Sequence, residues 1–554
     1  VRELSHIADA LRVQATEQPD APALIVPTRR VRGQWRDRRT SWRELDQLCD
    51  RLAAGLQHHG VGKGTRVAFM VPPSLEFFAL FFALFKTGAV PVLVDPGIGL
   101  KSLKSCLGEA RPEVFIGVTR AQIARMLFGW TRETLRQTIT IGPRPFGRGL
   151  RYRDLLGGPE TRFEPPDTAP DDPAAILFTS GSTGIPKGVV YRHRHFLAQV
   201  ELVRSTYSIR PGEVDLPTFP PFALFDPALG MTTVIPKMDF TRPARANPDM
   251  LVSMIEQYGV TNLFGSPALM NTLSRHLERH KLRLPGLARV LSAGAPVAPD
   301  TVERMRAALN EDADLHTPYG ATECLPVATI SGAELVGPRS EANREGQGIC
   351  VGRPLAANRL RIIRIEDQPI ARLAESVEVE PGEIGEICVL GPTTTDCYWQ
   401  REAQTRLAKM NDEDGEIWHR MGDLGWLDET GRLWYCGRKS ERVETANGPL
   451  YTERVEGIVN GTRGVFRSAL VGVGEPGKAR PVVIVEPEPG TTGRSARTDA
   501  GLIDRVRDRL QAYAETEAID TVLLHPSLPV DIRHNAKIRR PLLAEWARGR
   551  LGRR

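Results

Sequence analysis

The chain has 554 residues, 41% of them apolar and 25% charged, with a net charge of +6 at neutral pH. That length exceeds one hydrophobic core and predicts two or more domains. The composition excludes a disordered or fibrous chain, and the small net charge with no interleaved basic and aromatic residues gives no argument for nucleic acid binding.

Residues 1–60 read as helix, strand, helix. Ile7 to Gln18 has helical spacing, Ala23 to Val26 is a strand, and Ser41 with Glu44 forms a capping box that opens a helix running to His59. Strands then alternate with helices: Arg66 to Val71, a helix from Ser74 to Thr87, Ala89 to Val94, Val114 to Gly117, Ala174 to Phe178, and later Thr261 to Phe264 and Ala288 to Ser292. This alternation predicts mostly parallel sheet with helices on both faces. The most apolar run, Phe77 to Phe85, is nine residues long and too short to span a bilayer, so it is expected to be a buried core helix. After Gly352 the segments Arg359 to Ile365, Gly385 to Leu390 and Gly431 to Tyr435 read as a smaller antiparallel barrel or sheet. Strands at Ser468–Gly472 and Val482–Val485 and a helix from about Ala500 to Gln511 read as a separate α+β domain. The fold class expected is thus α/β, with mixed sheets and a small antiparallel barrel in a large N-terminal domain and a small α+β C-terminal domain.

Seven scattered cysteines, none spaced as CxxC, fit reduced thiols, and the N-terminal residues lack a signal-peptide layout. Both point to a cytoplasmic protein without a transmembrane segment.

Thr179-Ser-Gly-Ser-Thr-Gly-Ile-Pro-Lys-Gly188 follows a predicted buried strand. Its glycines and hydroxyl residues make a turn able to wrap a phosphate closely, and Lys187 adds a point charge. It is not a Walker A loop, because Gly188 stands where a metal-binding Ser or Thr would follow the lysine. The string resembles the phosphate-loop signature of the adenylate-forming superfamily, which comprises acyl-CoA synthetases, peptide-synthetase adenylation domains and luciferases. Four further blocks match in the same order: Ser292 to Pro296, Tyr319-Gly-Ala-Thr-Glu323, Trp418 to Arg438 with its Gly-Asp core, and Leu528 to Arg540 with a lysine at 537.

The resemblance implies ATP and Mg²⁺ as cofactors and assigns roles by position. Thr179, Ser180, Gly181, Ser182, Thr183, Gly184 and Lys187 would hold phosphates. Gly294, Ala295 and Pro296 would lie against adenine; Tyr319 would stack on it, with Gly320 and Ala321 beside it and the Thr322 hydroxyl on phosphate. Glu323 would hold Mg²⁺, and Asp423 and Arg438 would bind the ribose. Lys537 would be the catalytic lysine, offsetting repulsion as a carboxylate attacks the triphosphate. Met421 replaces the family's usual Thr, and the hinge position, usually Asp or Lys, is Ser440. The implied domains are 1–436 for adenylation, a hinge at 437–441, and a mobile lid at 442–554.

Within that superfamily, Val190 to Phe196 and Phe219 to Ala228 resemble the β-lactone synthetases of bacterial long-chain olefin biosynthesis. The implied reaction activates a long-chain 2-alkyl-3-hydroxy acid as acyl-AMP, then closes a β-lactone through the acid's own hydroxyl, releasing AMP; pyrophosphate leaves in the first step. Association with other enzymes of that pathway is a further implication. Phe219, Phe222 and Phe225 suit an apolar wall for alkyl chains, and His193 and His195 are candidate bases for the hydroxyl. A long-chain acyl-CoA synthetase and a fatty-acyl-AMP ligase remain alternatives, and a non-enzymatic binding module is disfavoured by the intact Lys187, Glu323, Asp423 and Lys537.

Overall fold

The computed structural model describes residues 4–156, 163–179, 186–488, 496–530 and 537–552. The first 440 or so residues build two sheets on a shared core. One sheet orders the strands Leu150–Arg151, Gln137–Ile141, Val114–Val118, Arg66–Met70, Val90–Val94, Pro173–Thr179 and Lys187–Arg192. All neighbours are parallel except the last pair, a hairpin in which Thr179 stands opposite Lys187.

The second sheet starts from parallel strands, Val214–Pro217, Asn262–Gly265, Arg289–Ser292 and Asp314–Ala321. It continues without a break through Cys324–Ser331 and Ile349–Pro354 into the antiparallel strands Leu433–Arg438, Ile417–Leu427, Gly385–Leu390 and Arg359–Ile363. The small antiparallel set expected after Gly352 is therefore present, but as an open extension of the larger sheet. At the other edge a hairpin of Pro22–Val31 with Gln34–Ser41 appears where a single short strand was expected.

The helix Leu75–Lys86 is buried from Phe77 to its last residue. It lies in a core that takes residues from both sheets, with Phe69, Phe77, Phe81 and Phe85 meeting ring to ring. Its terminal Lys86 is 2% exposed and bridges Asp46 and Asp50, each at 2.5 Å. A charge so enclosed persists because both carboxylates come from the adjacent helix Trp42–His58. That helix begins with the predicted capping box, Ser41 and Glu44 each bonding the other's backbone N–H.

The C-terminal part has a sheet and cores of its own. Strands Val465–Val473, Arg480–Pro487 and Thr521–Leu524 carry helices Thr452–Asn460, Ala496–Gln511 and Arg540–Leu551. It docks on the larger part through Thr452–Asn460, where Gly457 lies so close to the Asn343 carbonyl that a Cβ would stand 2.3 Å from that oxygen. Among the described residues no helix is long and apolar enough to cross a membrane.

Candidate active site

The Tyr-Gly-Ala-Thr-Glu block sits on a hairpin. Asp314–Ala321 turns back into Cys324–Ser331, with Ala321 opposite Cys324, so Thr322 and Glu323 form the tip. Gly320 is required by the close fold: a Cβ there would stand 2.7 Å from the Cys324 carbonyl oxygen. The Thr322 carbonyl accepts a hydrogen bond from the buried Tyr191 hydroxyl at 2.5 Å.

A strap at 393–399 fixes this tip and was not read from the sequence. Thr395 donates its N–H and its hydroxyl to the Glu323 carbonyl at 2.9 and 3.0 Å. Tyr398 donates its hydroxyl to Glu323 Oε1 at 2.5 Å. Its ring also lies 5.0 Å from the Lys187 ammonium, a cation–π distance. The strap is laced to the phosphate-loop hairpin as well: Trp399 N–H bonds the Gly188 carbonyl at 2.7 Å, and Val190 N–H bonds the Cys397 carbonyl at 3.2 Å. Burial lowers the Lys187 pKa, and Glu323 partly restores it. Beneath the strap, Lys409 bonds the Thr395 carbonyl, and burial pulls its pKa down to about 8 against the opposing pull of Glu323.

The ribose candidates converge one strand away. Asp423 and Arg438 face each other across neighbouring strands, with Arg438 Nη1 on Asp423 Oδ1 at 2.7 Å. Tyr319 donates its hydroxyl to Asp423 Oδ2, also at 2.7 Å. Asp423 raises the Arg438 pKa, and burial with Asp423 raises that of Tyr319. Each Asp423 oxygen thus has one donor, Arg438 on Oδ1 and Tyr319 on Oδ2. Gly294, at a φ of 96°, follows the end of the parallel strand Arg289–Ser292, and Ala295 and Pro296 come next. The positive φ is one glycine adopts without strain. Parallel strand ends are where α/β sheets bind ligands.

Phe219, Phe222 and Phe225 are half-buried on two short helical turns, Pro220–Ala223 and Asp226–Leu229. Phe222 stacks on Phe264 at 4.0 Å between centroids, and Ala293, the residue before Gly294, packs on the same apolar cluster. Phe264, the partner of Phe222, stands opposite Leu291 in the next strand, two residues before Ala293, which links the aromatic wall to the small-residue turn. Below the wall, Asp215 and Asp226 are wholly buried. Asn262 donates to Asp215 at 2.5 Å and Thr233 to Asp226 at 2.9 Å. Burial raises both pKa values, that of Asp215 to about 7, and the two carboxyls interact directly, which calls for a proton between them.

His193 and His195 are both fully buried, at the start of the helix His193–Tyr207. His193 lies against His6 and Phe85, and burial pushes its pKa down to about 4. His195 accepts the Arg192 N–H at 3.0 Å and turns its other nitrogen to Asp396, 3.7 Å away. Both are enclosed by neighbours of these kinds, and Phe196 stands between Phe85 and Phe225.

Of the phosphate loop, Thr179 and Lys187 are described; Ser180, Gly181, Ser182, Thr183 and Gly184 lie outside the described residues. Lys537 is exposed on the C-terminal part, just before an isolated bridge of Val530 with Ile538. Three residues on, Arg540 pairs with Glu456 at 2.7 Å and with Glu441 at 3.1 Å, linking the block that carries Lys537 to the connecting segment 437–441.

The AMP-binding enzyme family profile matches residues 11–399, and the chain belongs to that family. It is 52% identical to an olefin beta-lactone synthetase of Xanthomonas campestris pv. campestris, over 98% of each chain. It is 50% identical to an olefin beta-lactone synthetase of Stenotrophomonas maltophilia, over 99% of each. Among solved structures, the amide bond synthetase McbA from Marinactinospora thermotolerans shares the fold with a TM-score of 0.78 and 21% identity, covering 98% of this chain and 99% of that one.

Proposed function

We propose that this protein is an AMP-forming ligase that converts a long-chain 2-alkyl-3-hydroxy acid into a β-lactone. The observation that carries the reading is the full-length likeness, at 52% and 50% identity, to two olefin beta-lactone synthetases. The positions of Lys187, Glu323, Asp423 and Arg438 support it.

In the first step a substrate carboxylate oxygen attacks the α-phosphorus of ATP, and the bond to the β-phosphate oxygen breaks. Acyl-AMP forms and pyrophosphate leaves. Asp423, with Arg438 and Tyr319 behind it, orients the ribose, and Tyr319 presents its ring to the base. Lys187 and Lys537 offset the negative charge that gathers at the phosphates. Glu323 suits a magnesium ion, which takes few protein carboxylates and several phosphate or water oxygens. Among the described residues no group of three or more His, Cys, Asp or Glu side chains could hold a metal, in keeping with an ion that arrives with the nucleotide. When bound, it would neutralise phosphate charge.

In the second step the β-hydroxyl oxygen attacks the acyl carbonyl, its proton passes to the leaving AMP phosphate or to solvent, and the bond between the carbonyl carbon and the AMP oxygen breaks. Ring closure needs the chain folded so that hydroxyl and carbonyl meet, and it needs water kept away from the acyl-AMP. The aromatic wall of Phe219, Phe222 and Phe225 beside the Ala293–Gly294 turn is suited to both tasks.

Purified protein given Mg·ATP and a 2-alkyl-3-hydroxy acid, with and without CoA, tests the reading by NMR of the unheated product. A β-lactone formed without CoA, with AMP and pyrophosphate, is expected. A thioester formed only with CoA would replace this reading with an acyl-CoA ligase.

A further inference from the structure

The helix Thr119–Phe128 packs the small Ala121 and Ala124 against the core and leaves its larger apolar side chains outside. Its inward Gln122 is 1% exposed, and the side-chain amide bonds the carbonyls of Phe115 and Ile139. Ile123, Met126 and Leu127, at the i, i+3, i+4 spacing of one helical face, are 41%, 45% and 75% exposed. Phe128, 41% exposed, stacks on Trp130 and extends the patch. These four stand among only ten large apolar side chains exposed across the described residues, so the concentration in one helix is not a scattering of surface leucines. The helix leans on the strands Val114–Val118 and Gln137–Ile141, and its outer face is left uncovered.

Charge accompanies the apolar face. Residues 119–154 hold eight arginines against one glutamate and one aspartate. Their surplus equals the +6 of the entire chain, so the rest of the protein balances to zero. Arg120, Arg132 and Arg148 are exposed. Arg148 and Arg125 share with Met126 the lining of a shallow cavity of about 240 Å³.

We propose that this face seats the protein on an anionic lipid surface. Exposed apolar side chains rimmed by arginine are what an interfacial element uses, the first entering the acyl boundary and the second meeting lipid phosphates. An acidic protein partner would match the charge alone. An apolar stripe with Arg125 and Arg148 beside it matches the layered chemistry of a bilayer surface, and no helix among the described residues is long and apolar enough to span one. The inference does not depend on the identity of the acid substrate.

The test is co-sedimentation of the full chain with vesicles of phosphatidylglycerol and phosphatidylethanolamine, beside vesicles of phosphatidylcholine alone. The expected result is binding to the anionic vesicles that is about tenfold stronger than to the neutral ones and weakens with added salt. Met126→Ser with Leu127→Ser should reduce it about tenfold, and so should Arg132→Glu with Arg148→Glu. Pyrophosphate exchange on a water-soluble acid should be unchanged in all variants, which controls for folding. Absence of wild-type binding to anionic vesicles would overturn the proposal. Binding indifferent to the Met126 and Leu127 substitutions would overturn it too. Self-association of the wild type that the same substitutions abolish, without vesicle binding, would assign the face to a second copy instead.

Discussion

Tyr398 and Glu323, 75 residues apart, are joined by a 2.5 Å hydrogen bond from phenol to carboxylate. The bond is made to Oε1 of the carboxylate. The same ring receives Lys187, so one residue sets the spacing of a cation and an anion that, in the proposed reaction, would both meet a triphosphate.

Tyr398→Phe keeps the ring under Lys187 and deletes the bond to Glu323. A hydrogen bond to a charged group contributes about 1.5–3 kcal/mol. The Mg²⁺ concentration for half-maximal activity should rise about tenfold or more, with the ATP dependence at saturating Mg²⁺ little altered. Tyr398→Leu removes both contacts and should raise the KM for ATP as well. Identical metal titrations for wild type and Tyr398→Phe would refute the role.

Lys537→Ala should abolish most acyl-AMP formation, by roughly two to three orders of magnitude, as expected for loss of a charge that acts in the transition state. ATP binding, read by calorimetry or fluorescence, should persist. Equal loss of binding and chemistry would show that the lysine merely holds the nucleotide.

Asp423→Asn retains shape and removes the charge that Arg438 and Tyr319 both face. The expected effect is a rise in the KM for ATP of about tenfold or more, and a smaller one when 2′-deoxy-ATP replaces ATP. The ratio between the two nucleotides is the informative reading. No change in that ratio would separate Asp423 from the ribose.

The Asp215–Asp226 pair predicts a pH effect on stability. The folded pKa of Asp215 lies at about 7, above the ordinary carboxylate value, so the folded state holds more protons than the unfolded one between about pH 4 and 7. Stability from this pair is present at low pH and is lost as pH rises through 7. Asp226→Asn supplies a permanent donor to Asp215, and its melting temperature should fall by a few degrees less than wild type between pH 5 and pH 8. Parallel profiles would refute the shared proton.

The capping box at Ser41 is legible in its own spacing, whereas Tyr319 to Glu323 and Asp423 with Arg438 stand out through the family resemblance, which does not announce that Thr322 and Glu323 form a hairpin tip. The strap at 393–399 was not legible, because its meaning lies in partners at Glu323, Lys187 and Gly188, which no periodicity within Thr393–Trp399 announces. The hairpin Pro22–Ser41 was half missed for another reason. Its second strand reads Gln-Trp-Arg-Asp-Arg-Arg-Thr-Ser and buries only Trp35, so no apolar alternation marks it. The continuity of the parallel and antiparallel strands depends on Ala328 and Thr329 pairing with Pro354 and Arg353, a choice among distant edges that local pattern does not specify.

Arg540 stands among Glu441, Glu453 and Glu456, three carboxylates around one guanidinium. Burial and the neighbouring Glu456 raise the Glu453 pKa above the ordinary carboxylate value. The guanidinium thus clasps the connecting segment to the C-terminal part from both sides. Any rotation that draws Arg540 away from Glu441 must first give up that ion pair. Were Lys537 to travel toward the nucleotide, its journey and the parting of Arg540 from Glu441 would be a single event.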